Sequence, residues 1–175
     1  MRLINTEKLE LQEFFESQAP SYAILSHTWE EGEITFRKCA GLTESINSMY
    51  RRYQKAEECY AYLLDFAPGS LPKVGLGKCH WFIRGFTLQE LIAPKTVIFF
   101  TRDWNIVGEK SRDDTLEIIN RLTRIPENVL RHRRPLSDCT IVQRMIWASN
   151  RETTRPEDKA CGMILRRLSP HCALV

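Results

Sequence analysis

A single carboxylate on an otherwise apolar helix restricts what this chain can fold into more than any other feature. Across residues 81–91 the spacing predicts a helix. At 3.6 residues per turn Ile83, Phe86 and Glu90 share one side, and Phe82 meets Phe86 at i, i+4. Leu88, Leu91 and Ile92 widen the apolar surface until most of the girth is destined for burial. Pro94 ends the helix, because proline has no amide hydrogen to donate and disfavours a helical residue before it. Thr96, Val97, Ile98, Phe99 and Phe100 follow at once and read as a strand buried on both faces. A helix feeding such a strand through a tight loop is half of a βαβ unit.

The alternation continues upstream. Tyr22, Ala23, Ile24 and Leu25 form a compact apolar strand that runs into Ser26, His27, Thr28 and Trp29. From Thr43 a second helix is expected, with Ile46, Met49, Tyr50, Tyr53 and Ala56 on one stripe and Arg51, Arg52, Lys55 and Glu58 mainly off it. Residues 59–64 are the next strand. The intervening length exceeds what a parallel crossover needs, so the middle of the chain predicts a parallel, three-layer α/β sheet. In such sheets the loops at the carboxyl ends of the strands form the ligand crevice, which is where Ser26, His27 and Trp29 fall. For His27 and Trp29 taken singly a structural role is the favoured reading: His27 bonding a backbone carbonyl, Trp29 capping the core.

The flanks are less regular. Residues 2–5 read as a short strand, and Thr6 as the cap of a helix carrying Leu9, Leu11, Phe14 and Phe15. Residues 66–78, with two prolines and three glycines, predict an exposed, mobile loop. Downstream, the pattern predicts a turn at 103–105, a helix from Asp113 or Asp114 carrying Leu116, Ile119 and Leu122, and a basic linker over 126–135. A helix is expected over 141–147 with Ile141, Val142, Met145 and Ile146 inward, then a polar connector over 151–158. Pro156 and the two acids after it suit the start of a last helix, and Arg166 and Arg167 its other end.

Size and composition set the class. At 175 residues with 43% hydrophobic content the chain is long enough for one domain with a sizeable core. A net charge of +3 is too small to argue for nucleic acid. No apolar run approaches the ~18 residues of a membrane helix, and no basic-then-apolar signal pattern opens the chain. A cytoplasmic protein is expected, with neither nucleic acid nor a membrane as its partner. The six cysteines are irregularly spaced with no C-x-x-C pair, so they read as reduced thiols, and no metal site is expected.

Four stretches carry a resemblance to the fungal heterokaryon-incompatibility (HET) domain. They are Tyr22-Ala23-Ile24-Leu25-Ser26-His27-Thr28-Trp29, then Ile46-Asn47-Ser48-Met49-Tyr50, then residues 81–94, and last residues 144–158 from Arg144-Met145-Ile146-Trp147 to Arg155-Pro156-Glu157-Asp158. They stand in the family's order and span most of the chain, and the third is the most specific. Compared with the family, the chain lacks a helix and strand with their Trp-x-Asp and Cys-Ile-Asp patterns between about 36 and 43, diverges over 161–175, and has Phe86 where tryptophan is usual. The resemblance therefore implies a single HET-like domain over 1–175, internally deleted and truncated at its end. It also implies a distant likeness to the TIR fold, a flavodoxin-type sheet of order 2-1-3-4-5. That sheet would here lack one edge strand and one helix, and carry a helical C-terminal part.

Function follows the resemblance in three forms. One is a module of self/non-self recognition and regulated cell death, working through self-association or partner binding. Another is a TIR-like enzyme cleaving NAD as substrate. There Glu90 would bond the ribose hydroxyls and stabilise an oxocarbenium-like centre, a task like that of the carboxylates of glycoside cleavage, with Ser26, His27, Trp29, Trp81 and Arg84 lining the pocket. The last is an inactive, shortened relic. Against the enzyme stands an ordinary structural role for Glu90, paired with Arg84 or Arg51 or reaching solvent.

Overall fold

Asn5 sets the first turn of the chain. Its carboxamide oxygen accepts the amides of Glu7 and Lys8, both at 3.0 Å, which draws the backbone away from a helix and into a turn. Arg2–Asn5 (β1) therefore folds back antiparallel on Glu10–Glu13 (β2), with Leu9 held at a left-handed φ of 55°. The helix expected after Thr6 is thus a hairpin, and Leu9 and Leu11 point to solvent rather than a core. The computed structural model describes residues 1–28 and 42–153, with the side chains of 42–47 also outside the description. Trp29, the junction near 36–43, the helix expected from Pro156 and the tail 161–175 lie wholly or largely outside the described residues.

Next come Ala23–Ser26 (β3), Leu42–Lys55 (α1), Glu58–Leu63 (β4), Pro72–Gly75 (α2), Thr87–Ile92 (α3), Val97–Thr101 (β5) and Ile106–Glu109 (β6). Asp113–Thr123 (α4), Glu127–Leu130 (α5) and Ile141–Ser149 (α6) complete the set. The second sheet has the order β3-β4-β5-β6. The first three strands are parallel, and β6 returns antiparallel through a turn in which Trp104 adopts a φ of 59°. The α/β class and the mostly parallel sheet expected from the sequence are present; β6 was hidden behind the turn at 103–105.

Pleating decides which side chains are enclosed. Cys59, Ala61 and Leu63 of β4 and Val97 and Phe99 of β5 face one side and are fully buried. They meet Tyr50 and Tyr53 of α1, Leu88 and Leu91 of α3, Leu116 and Ile119 of α4, and Trp147 of α6 in one core. Tyr60, Tyr62, Ile98 and Phe100 alternate to the other side and are only partly covered. Tyr60 meets Phe100 edge-on at 5.4 Å, and Tyr62 lies 5.0 Å from Trp104.

Three expectations on the flanks are corrected. Residues 66–78 are not an open loop: Phe66 and Leu76 are buried, α2 and a 3-10 turn (Leu76–Lys78) occupy the segment, and a Cβ on Gly75 would lie 2.3 Å from the Phe66 ring. The basic stretch at 126–135 contains α5, which sends Val129 and Leu130 into the core. Helix α6 is rotated from its expected orientation. Ile141, Val142, Met145 and Ile146 are all at least 42% exposed, while Arg144 and Trp147 are enclosed. Arg144 turns inward because its guanidinium donates twice to the Cys139 carbonyl, at 3.0 and 2.9 Å. A capping box between Thr140 and Gln143 fixes the start of the helix.

Candidate functional site

The helix expected over 81–91 is two pieces. His80–Phe82 forms a 3-10 turn, the chain bends through 83–86, and α3 begins at Thr87 and ends at Ile92, two residues before Pro94. The bend is imposed by a segment nearly seventy residues downstream. The Gly85 amide donates to the Glu152 carbonyl at 2.8 Å, and the Glu152 amide donates to Ile83 at 2.6 Å, forming an isolated parallel bridge. Gly85 is required there by close approach: a Cβ would sit 2.4 Å from Thr153 Cγ2.

Arg151 locks the same bend. Its Nη1 donates to the Arg84 carbonyl and to Thr87 Oγ1, both at 2.8 Å, and Thr87 Oγ1 donates to carbonyls of the turn before it. Arg151 is 4% exposed, so the polar connector expected there is in fact buried. Burial lowers its pKa to about 10, and the charge of Glu90 works against that fall. Arg151 Nη2 and Gln89 Oε1 are both buried without a hydrogen-bond partner among the described residues.

The break in the helix aims Glu90 at the carboxyl end of β3. Trp81 Nε1 donates to Ser26 Oγ at 2.7 Å, and the Ser26 hydroxyl donates to Glu90 Oε2. Indole, hydroxyl and carboxylate thus form a directional chain in which each donor is satisfied by the next acceptor. Tyr53 of α1 closes the site, donating to the Leu25 carbonyl at 3.2 Å and lying within hydrogen-bonding reach of Glu90. Trp81 is held by its ring, edge-on to Phe82 at 5.0 Å and to Phe99 at 5.5 Å.

Burial raises the pKa of Glu90, since it is 8% exposed and the charged form is desolvated. Hydrogen bonds from Ser26 and Tyr53 pull it back, as do the nearby charges of His27 and Arg84. The same burial, with Glu90 adding to it, raises the Tyr53 phenol and the Cys59 thiol. The arrangement is a sequestered carboxyl group with a hydroxyl on it and the charges of His27 and Arg84 within electrostatic reach, and a carboxyl perturbed in this way marks a candidate site.

Of the residues singled out in the sequence, Ser26, Trp81 and Glu90 are in direct contact and His27 and Arg84 act on Glu90 through their charge. Tyr53 and Arg151 were not foreseen as site residues. Tyr53 lay on a stripe that reads as core, and Arg151 sat in a charged run with nothing to separate it from solvated neighbours. Among the described residues no group of three or more His, Cys, Asp or Glu is placed to hold a metal, and Cys59, Cys79 and Cys139 are free and buried. No helix among those residues is long and apolar enough to cross a membrane.

Gly85→Ala tests the docked segment. The new methyl collides with Thr153 and is expected to cost about 1–3 kcal/mol, as overpacking does. Thermal unfolding should show the loss, and Thr153→Ser in the same chain, which removes the methyl that is struck, should restore most of it.

No family model matches the chain, and no solved structure matches it significantly. Over 82% of its length the chain is 36% identical to the vegetative incompatibility protein HET-E-1 of Podospora anserina. The aligned stretch, 194 residues, is longer than this chain itself, so the relative holds residues there for which this chain has none. The chain spans 14% of the length of that protein, and along most of its own length it is related to a fungal vegetative incompatibility protein.

Proposed function

We propose that this chain is a heterokaryon-incompatibility module whose role in self/non-self recognition and regulated cell death passes through protein association in the cytoplasm. The observation that carries this reading is the kinship with HET-E-1 along most of the chain. Its surface supports association: the β1–β2 hairpin exposes Ile4, Leu9 and Leu11, and α6 turns Val142 outward at 65% exposure. The longer aligned stretch of the relative supports an internally shortened domain. The test is to fuse the chain to a ligand-inducible dimerising domain in a fungal host. Growth arrest on adding the dimeriser, and none without it, is expected; growth indifferent to dimerisation refutes the reading.

A second reading is favoured by the site. We infer that a TIR-like NAD-cleaving activity would centre on Glu90, because that carboxylate is buried at the carboxyl end of a parallel strand with its pKa raised. In that reaction the bond between ribose and nicotinamide breaks and water adds to the sugar, giving ADP-ribose, nicotinamide and a proton. Glu90 would hold the ribose hydroxyls and offset the positive charge developing on the ring, with Trp81, Ser26 and Arg84 around it. Incubation with NAD and chromatography for nicotinamide decides this reading. Release by the native chain and none by Glu90→Ala is expected, and silence from both leaves only the association module or an inactive relic.

A further inference from the structure

We propose that a small cavity between the end of β6 and the end of α5, lined by Lys95, Lys110, Ser111, Leu130, Arg131 and Arg133, binds a phosphate-class anion.

Lys110 is the keystone of the cavity wall. It follows β6 directly, and its backbone amide donates to the Val97 carbonyl at 2.8 Å, which fixes its position against β5. Its side chain is 1% exposed, yet among the described residues its ammonium meets only carbonyls: Leu91 at 3.1 Å and Pro94, at the negative end of α3. Those contacts hold the ammonium in place without supplying an opposite charge, and burial lowers its pKa to about 8, so an anion beside it would favour the charged form. A buried cation without a carboxylate is rare, because desolvation is repaid only by an opposite charge or good hydrogen bonds.

The surroundings add more positive charge. Lys95 and Arg133 have no ion-pair partner among the described residues, and Arg131 pairs with Asp113, whose side chain is 95% exposed and does not line the cavity. Among the described residues no acidic side chain lines it. The local field is visible in His132, which bonds the Pro94 carbonyl at 2.9 Å: burial lowers its pKa, and Lys110 and Lys95 lower it further despite that bond.

Volume decides the size of the ligand. The cavity holds about 200 Å³, below the ~300–1,000 Å³ of pockets that enclose a drug-sized molecule. It suits a free phosphate ion or the phosphoryl end of a larger molecule whose remainder stays in solvent. The guanidinium fork of Arg133 matches the tetrahedral oxygens, the lysines add point charges, and Arg131, already bonded to Asp113 and to the Ser111 carbonyl, adds to the field.

Calorimetry of the full chain with inorganic phosphate, against chloride at equal ionic strength, tests the site. Phosphate is expected to bind with measurable heat and to raise the unfolding temperature, and chloride to do neither. A phosphoserine peptide forms the second arm. Equal affinity for both would identify a free ion as the ligand, and a preference of tenfold or more would identify a phosphorylated side chain. Lys95→Glu with Arg133→Glu, both at exposed positions, should weaken either ligand at least tenfold while leaving the unfolding temperature in chloride unchanged. The NMR signal of the Lys110 side chain in the native chain gives a readout that needs no variant, and it should shift with phosphate only. Absence of phosphate binding, or binding that survives the double reversal, overturns the proposal.

Discussion

Trp81→Ala is expected to cost about 3–5 kcal/mol, the range for removing a fully enclosed large aromatic, and a deficit of that size consumes much of an ordinary domain's stability. Two losses combine. The ring leaves a hole beside Phe82 and Phe99, with which it makes edge-to-face contacts worth about 0.5–1.5 kcal/mol each. The indole N–H that donates to Ser26 Oγ also disappears. Trp81→Phe separates the terms, because it restores most of the ring and not the donor. Its deficit should be nearer ~1 kcal/mol. Denaturant unfolding of the three chains gives the ordering, and equal losses in both variants would show that the hydrogen bond, not the packing, holds the corner.

Glu90→Gln should move stability in the opposite direction as pH rises. Burial raises the folded-state pKa of Glu90 above the unfolded one, so between those two values the folded chain keeps a proton that the unfolded chain has released. The contribution of this group is therefore fully present below the ordinary carboxyl range and is lost as pH climbs through the raised value. Glutamine keeps an oxygen for the Ser26 hydroxyl and has no proton to lose. The variant should match the native chain near pH 4 and exceed it at pH 8 by ~2 °C or more in unfolding temperature. Should the variant instead be the weaker at pH 8, Glu90 would be an ionised partner of Arg151. In the NAD-cleaving reading, the same substitution should lower nicotinamide release by roughly 10²–10³-fold, the range for loss of one preorganised electrostatic group.

The strands of the sheet were legible because their evidence is local. The β-branched and aromatic run at 97–100 and the compact run at 59–63 are apolar at positions facing both sides, which marks them as strands; the burial on both faces that this pattern predicts is complete on one face only. Helix α1 was legible because Tyr50, Tyr53 and Ala56 keep one period, and all three are buried. Sheet topology places Ser26 at the carboxyl end of a strand and only the TIR resemblance brings Glu90 to it; the two share a hydrogen bond. The failures have a different physical origin. Nothing between 81 and 91 announces that Gly85 will accept a strand-like partner from residue 152, so the helix there looked continuous. Leu9 at positive φ is a turn built from a residue that ordinarily avoids that region, and the hairpin was read as a helix. In α6 the apolar face points outward because the backbone carbonyl of Cys139 captures Arg144. Burial there follows a hydrogen-bond demand that hydrophobic periodicity does not register.

The bridge between Arg84 and Glu152 also has a consequence for biosynthesis. A nascent chain that has left the ribosome only as far as Ser149 can already pair its parallel strands, since β3, β4 and β5 are all translated. It still lacks the rung that bends the polypeptide at Gly85 and the guanidinium that braces Thr87. The Glu90 corner is therefore completed last, so a translation product that stops short of residue 151 would carry the sheet without a finished centre.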